Sequence, residues 1–379
     1  MRANQPESVA GAADRPPPAA AGAACRVTAY PRYSRLGASS RLRWLQFVPL
    51  LQSAGLHVES SPLLGDAYLQ RRYANRPVLG QIFSAYLRRA RALLAGTRQA
   101  DLVWIEKELW PWAPAWLERL LLSGRPFVLD YDDAVFHTYD RHRNPVLRTL
   151  YARKIDRLMQ AAALVVVGSA YLGERARHAG AARVEWLPTV VDHERYAVEP
   201  RSASSDAALR IGWIGTPATV AYLWLLAPAL AEVARRRRIV VYLIGASLAI
   251  PGVEVRCLPW SEVDEVSAIA ELDVGLMPLP DTPWERGKCG YKLIQYMACG
   301  LPVVASPVGA NLSVVEDGVT GFLADSDDAW IGALCRLADD PALRHRMGRL
   351  GQVRVRERYS LQTAAPQLVC WLYEAAGRR

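Results

Sequence analysis

The 379-residue chain reads as an α/β protein of two doubly wound, Rossmann-like domains. Three observations predict this. Apolar, β-branched runs alternate with longer helical patterns through the first half, the order that a parallel sheet with crossover helices requires. A polar stretch at 192–208, carrying Pro200 and the run SASSD, then interrupts the pattern as a linker would. The alternation starts afresh at 209, and the length accommodates two domains.

The elements follow in order. Residues 1–24, rich in Ala and Pro with no charged-then-apolar order, read as a disordered tail rather than a signal peptide. The first domain spans 25–191. Its strands are expected at 26–30, 56–60, 102–106, 126–131, 164–168 and 183–187, each a short apolar run bounded by turn residues. Its helices are expected at 42–54, which is amphipathic, at 66–95, which is arginine-rich, and at 113–123, 145–162 and 170–179. The second domain spans 209–360. Strands are expected at 209–214, 239–244, 253–256, 274–277 and 301–305, and helices at 219–235, 262–270, 291–299, 327–338 and 342–358. A last helix begins at Leu361.

Composition narrows the function. An apolar content of 51% with 22% charged residues is that of a globular protein, and no apolar run reaches the roughly 18 residues of a membrane span. Six scattered cysteines without a C-x-x-C pair argue against a zinc site or a disulfide framework and for a reducing cytosol. Charge is uneven: residues 25–190 hold 24 Lys+Arg against 13 Asp+Glu, whereas 191–379 hold 20 against 22. The basic half is either ordinary arginine-rich solubilising surface or attracts an anionic membrane or a lipid-linked diphosphate, with Arg71, Arg72, Arg76, Arg88, Arg89 and Arg91 as the contacts expected in the second case. A nucleic-acid partner is not expected, because no aromatic-plus-basic recognition motif is present. The run 235–238 of four arginines ends a helix, where it complements the dipole.

The most informative stretch is ERGKCGYKLIQYMACGLPVVASPVG at 285–309. A polar, glycine-bearing loop opens a helix, and free N–H groups at a helix N-terminus attract anions. Lys288 and Lys292 stand four residues apart and add two cations. Gly215 and Thr216 form a second strand-to-helix loop, in which Gly215 permits close backbone approach and Thr216 is a candidate cap. In the first domain Asp130, Asp132 and Asp133 follow a strand. The last two either face the cleft, to orient or deprotonate a hydroxyl, or cap a helix. After the first strand, Ser39, Ser40, Arg41 and Arg43 are candidate donors to a phosphate or an acceptor. Glu106 and Glu108, with Trp110, Trp112 and Trp116, either meet a sugar or pack a helix on the sheet.

The segment MACGLPVVAS at 297–306 resembles the donor motif of GT-B glycosyltransferases, specifically the retaining family four, also called group 1. IGWIGTPAT at 211–219 is similar to the loop that opens that family's donor domain, and SPVGANLSVVEDGVTGFLA at 306–324 to the motif's continuation. DLVWIEKELWPWAPAWLERLL and VLDYDDAVF resemble the first half of one bacterial branch. Two glutamates of the family pattern are replaced, by Gly287 and Gln295, with Glu285 the nearest acid to the first. The Arg–Lys pair that often follows the Gly215 loop is replaced by Val220-Ala221-Tyr222-Leu223. The resemblance implies a nucleotide-sugar donor bound by Gly215, Thr216, Glu285, Arg286, Lys288, Gly290, Lys292 and Gln295, with Gln295 on the ribose. Asp132, Asp133 and Lys292 would serve the chemistry. It implies transfer to a glycan or lipid-linked acceptor with retention, no metal and no cofactor, and a last helix that packs back on the first domain. The DYDD sequence at 130–133 also looks like the metal-binding D-x-D of the other glycosyltransferase fold, but it stands in the wrong domain for the donor motif. The expected protein is a cytoplasmic enzyme of bacterial surface-glycan or glycolipid synthesis, peripheral on the inner membrane. The alternatives are a sugar-nucleotide epimerase of the same fold and a non-catalytic scaffold.

Overall fold

A computed structural model describes residues 25–74, 76–96, 99–198 and 208–378; the tail expected at 1–24 and most of the linker expected at 192–208 lie outside the described residues. Six strands form the first parallel sheet: β1 (Cys25–Tyr30), β2 (Leu56–Ser60), β3 (Leu102–Glu106), β4 (Phe127–Tyr131), β5 (Leu164–Val167) and β6 (Val184–Trp186), in the order β2-β1-β3-β4-β5-β6. The second sheet holds β7 (Leu209–Ile214), β8 (Ile239–Ile244), β9 (Val255–Leu258), β10 (Val274–Met277), β11 (Val303–Ala305) and β12 (Gly321–Leu323), in the order β12-β11-β10-β7-β8-β9. Chain order reverses between β1 and β3 and again between β7 and β10. In open parallel sheets such switch points leave a crevice at the carboxyl ends of the strands.

Strand β12 is absent from the sequence expectation. It is three residues long and starts at Gly321, where a Cβ would sit 2.2 Å from Val303 O. Only glycine lets this edge strand approach.

Several expected helices are divided, each for a local reason. The helix expected over 42–54 resolves into Ala38–Ser40, a wider turn at Arg41–Leu45, and Val48–Ser53. In the wide turn Gln46 N–H donates to Arg41 O, five residues back, and Arg41, Leu42, Arg43 and Trp44 are all buried. The helix expected over 66–95 is two, Asp66–Tyr73 and Leu79–Gly96, separated by Pro77, whose ring and missing N–H oppose helix continuation. The helix expected over 145–162 is likewise two, Pro145–Tyr151 and Lys154–Ala161, and the second turns Lys154 inward. The stretch expected over 219–235 begins as a tight 3₁₀ segment, Val220–Leu226, before an α-helix over Ala227–Arg236 with proline in its first turn.

The last helix, Leu361–Ala375, returns to the first domain as expected. Leu361, Leu368 and Leu372 join Val27, Trp44 and Leu51 in one core. Tyr373 Oη donates to Ala54 O at 2.8 Å, and Arg183 pairs with Glu374 at 2.7 Å. At the crossing, Val191 and the segment Tyr359–Leu361 exchange backbone hydrogen bonds of 3.1 and 2.8 Å.

A few of the first domain's positive charges are internal. Arg43 Nε donates to Asp130 at 2.8 Å and Arg43 Nη1 to Leu187 O at 2.6 Å, with both side chains at or below 1% exposure. Arg89 is also buried, bonded to the carbonyls of Leu109, Pro31 and Ser61 and stacked on Tyr30, which corrects its expected place on a membrane face. Lys154 lies between Glu108 and Glu118 at 2.6 and 2.9 Å.

The helix Pro341–Arg358 docks beneath the donor motif through Gly348, where a Cβ would lie 1.8 Å from Gly300 O. Replacing Gly348 with alanine is expected to destabilise the protein by about 1–3 kcal/mol through overpacking. Chemical denaturation of the two proteins checks this.

Candidate active site between the two domains

The two switch points face each other, and the loops at their carboxyl ends touch. From the second domain, the loop after β10 runs through a short turn, Pro283–Arg286, to Gly290, which starts the helix Tyr291–Ala298. Gly290 has φ +69°, a left-handed conformation that glycine adopts without Cβ strain. The helix N-terminus therefore opens at the domain junction.

The junction is tight because small groups line it. A Cβ on Gly287 would meet Ala134 Cβ at 2.5 Å, and one on Gly168 would meet Cys289 Sγ at 2.2 Å. The Cys289 thiol donates to Asp132 O at 3.0 Å, and Lys288 Nζ lies 3.7 Å from Asp133. At the rim, Arg35 pairs with Glu262 at 2.9 Å and the Arg41 guanidinium stacks over Trp260 at 4.8 Å. A cavity of about 350 Å³ lies in the second domain just beyond the ends of β10, β11 and β12, lined in part by Leu279, Ser306, Ala324 and Trp330.

On the first-domain wall, Lys107 ties the two aspartates together, with Nζ 2.9 Å from Asp132 and 3.8 Å from Asp133. Its backbone has φ +67°, a strained conformation for a long side chain. Burial disfavours charge on Asp132, but Lys107 outweighs it and holds the carboxyl below its usual range. Burial and the neighbouring Asp132 charge push Asp133 upward. Asp133 is thus the better proton acceptor of the pair and the one facing the donor loop. Strand β4 ends at Tyr131, so both carboxylates stand on the loop that follows it. His137, four residues beyond Asp133, is engaged by Asp140 and Tyr171, each at 2.8 Å.

On the opposite wall, Lys292 Nζ sits 4.2 Å from the Trp213 ring centroid and beside Gly215, where a Cβ would lie 3.0 Å from it. Burial, then Lys288, lowers the Lys292 pKa to about 7. Gly215 makes room for the Trp213 ring, which a Cβ would meet at 2.4 Å, and Thr216 O receives the Thr219 N–H in the turn that follows. Backbone donors, Lys288 and Lys292 together can hold a diphosphate.

Other expected site residues are placed elsewhere. Ser39 and Ser40 donate to buried Glu106, so their hydroxyls shape the loop after β1 instead of facing a ligand. Arg43 is committed to Asp130; of that group only Arg41 reaches the other domain. Arg286 turns outward to Asp281, with contacts of 2.6 and 2.9 Å. Glu285 accepts from Tyr222 Oη and from the Thr282 hydroxyl, inside its own domain. Gln295 is 2% exposed and its amide donates to Tyr196 Oη at 2.9 Å, which corrects the expected ribose contact. Glu108 joins Arg32, Lys154 and Tyr139 in a buried network, and Trp112 stands half-exposed beside Tyr139 and Tyr151. Lys107, Trp213 and Tyr222 escaped the sequence reading as site residues. For Lys107 the available signal was a lysine directly after an apolar strand.

Two facing Rossmann-like sheets, a cleft at their switch points and a returning last helix define the GT-B fold. Residues 208–340 match the family described as Glycosyl transferases group 1. Curated relatives include a D-inositol 3-phosphate glycosyltransferase of Pseudarthrobacter chlorophenolicus, 40% identical over 78 residues that cover 20% of this chain and 19% of the relative. An alpha-maltose-1-phosphate synthase of Mycobacterium tuberculosis is 41% identical over 83 residues, 20% of this chain and 21% of the relative. The chain thus spans about a fifth of these relatives' length. Likeness to solved structures is broader. Anabaena Alr3699/HepE, crystallised with UDP and glucose, has a TM-score of 0.66 at 16% identity, covering 91% of this chain and 98% of its own. Sucrose-phosphate synthase of Thermosynechococcus elongatus has a TM-score of 0.69 at 16% identity, covering 92% and 98%.

Two outcomes are expected of this geometry. A bound diphosphate favours the charged form of Lys292, so at pH 8 binding of inorganic pyrophosphate should take up as much as about one proton, and affinity should fall as pH rises above about 7. Titration calorimetry in buffers of different ionisation enthalpy checks this, with Lys292→Met abolishing the uptake. Gly287→Glu, which writes the family glutamate back in, should lower kcat/KM at least about tenfold, because Ala134 fills its place. Small-angle scattering should show that variant to be more open.

Proposed function

We propose that the protein is a glycosyltransferase that moves a sugar from a nucleoside-diphosphate donor to a hydroxyl acceptor. One observation carries the reading: Lys288, Lys292 and the Gly290 helix start converge with the Gly215 loop on the cleft, opposite the Lys107–Asp132–Asp133 cluster. The second group supplies what an acceptor hydroxyl needs, and the first stabilises a leaving diphosphate. The group 1 domain and its glycosyltransferase relatives support this assignment. The UDP and glucose held by HepE support a UDP-type donor.

The finer reading rests on the resemblance. Transfer proceeds with retention, the acceptor is a glycan or a lipid-linked sugar of a bacterial surface polysaccharide or glycolipid, and no metal takes part. The two aspartates are occupied by Lys107 and Lys288, which supports a positioning or proton-accepting role rather than metal ligation. Among the described residues no helix is long and apolar enough to cross a membrane, so access to a lipid-linked acceptor requires contact at the bilayer surface. The rival readings are an epimerase and a scaffold. The exchange of the two family glutamates for Gly287 and Gln295 favours the scaffold.

The test is a thermal-shift screen over UDP-, GDP-, ADP- and dTDP-sugars, followed by acceptor-dependent release of the nucleoside diphosphate. A ligand at 100 times its Kd adds about 2.7 kcal/mol of stability. Binding with acceptor-dependent release supports the transferase, acceptor-independent turnover the epimerase, and absence of binding the scaffold. Lys292→Ala should keep the fold and lose about 1.5–3 kcal/mol of transition-state stabilisation, roughly 10- to 150-fold in kcat/KM. Unchanged steady-state kinetics would remove Lys292 from the mechanism.

A further inference from the structure

The first domain carries an outward face that no part of the cleft uses. On the helix Leu79–Gly96, Leu79 is 80% exposed, Phe83 76%, Leu87 47% and Leu94 65%. At about 100° per residue these four fall within a sector of roughly 80°. The opposite side, with Ala85, Arg89 and Leu93, is buried on the domain core. Exposed Arg91 and Arg88 follow on one side of the stripe, and exposed Arg71, Arg72 and Arg76 precede it. Between Asp66 and Asp101 the sequence contains no acidic residue at all.

A second helix of the same domain repeats the pattern. Pro145–Tyr151 has no buried residue, and Val146 and Leu150 are 64% and 66% exposed. Its surroundings supply Arg141, Arg143, Arg148 and Arg153, again with no acid between Asp140 and Asp156. The turn at Pro111–Trp112 links the two helices. Tyr86 Oη donates to Pro111 O at 2.8 Å, and the Trp112 ring lies 5.7 Å from that of Tyr151.

We propose that the outer face of helix Leu79–Gly96, continued by Pro145–Tyr151, docks the protein on an anionic lipid bilayer, with Leu79, Phe83, Leu87 and Leu94 entering the interface and the arginines meeting the headgroups. An apolar stripe whose helix carries arginines as its only exposed charges is complementary to such a surface on both counts. The proposal deepens the reading of a lipid-linked acceptor. It rests on that reading only for its purpose, since adsorption is measured without donor or acceptor.

The experiment is co-sedimentation of the full chain with vesicles of pure phosphatidylcholine and of phosphatidylcholine with phosphatidylglycerol, at low and high salt. Three variants accompany it: Leu79→Ser with Phe83→Ser and Leu87→Ser; Arg71, Arg72, Arg76, Arg88 and Arg91 all to Gln; and Val263→Ser, which alters an 88% exposed residue of the second domain. Expected are binding to the anionic vesicles only, weakening with salt, and at least about tenfold weaker partition for each of the first two variants. Val263→Ser should bind as the native protein does. UDP binding should be unchanged in all three, which separates failure here from failure of the proposed activity. Equal binding to both vesicle types, no loss in either first-domain variant, or conversion of a dimer to a monomer by the serine variant in light scattering would overturn the proposal, the last by showing that the face pairs two copies.

Discussion

The close approach of the two domains at a pair of glycines is the constraint on which the rest of the site depends. Gly168 receives Cys289, and Gly287 receives Ala134. Each contact removes the volume that any side chain would occupy, so loops from separate sheets come within hydrogen-bond distance. Lys288 then meets Asp133 across the junction, and the Lys292 ammonium lies in a partly dehydrated space over Trp213. Dehydration lowers the proton affinity of Lys292 and at the same time strengthens its attraction for a phosphate that enters. The exchange of a family glutamate for Gly287 thus has a steric counterpart in the partner domain.

The charged residues divide into those that hold the fold and those that face the cleft. Arg43 with Asp130, and Lys154 with Glu108 and Glu118, are out of contact with water and bonded within the first domain. Burial raises Asp130 to about 6 despite the adjacent Arg43, and raises Glu118 to about 7 despite Lys154. Removing one partner of such a pair leaves an uncompensated buried charge, at a cost of about 3–5 kcal/mol. These groups fix the loops after β1, β3 and β4, and through them the position of Lys107, Asp132 and Asp133. The Lys107 backbone at φ +67° is held by that surrounding network.

The chain crosses between domains twice, and the crossings bond to each other. Val191 leaves the first domain beside Tyr359 and Leu361, which bring the chain back. The last helix then completes a core shared with Trp44 and Leu51, next to the arginine-bearing turn after β1. Any change of the angle between the domains has to pass through this paired crossing, because the returning helix anchors the end of the chain on the first sheet.

The sequence by itself determined the two-domain α/β organisation, nearly every strand, the donor-loop motif and the return of the last helix. Strand periodicity, glycine punctuation and the run MACGLPVVAS are local, and they survive without knowledge of distant contacts. Residues near the cleft were legible by position, because polar groups after strands of a parallel sheet collect at its carboxyl end. Which of them face the cleft was decided only by the tertiary structure. Ser39 and Ser40 turn to Glu106, Arg43 to Asp130 and Gln295 to Tyr196, partners 67, 66, 87 and 99 residues away. Arg89 and Arg88 are adjacent in a helix, yet one is buried among carbonyls and the other exposed. A side chain's charge and spacing state what it can bond to; which partner it finds depends on long-range packing, since a buried polar group must be satisfied by whatever the fold brings beside it.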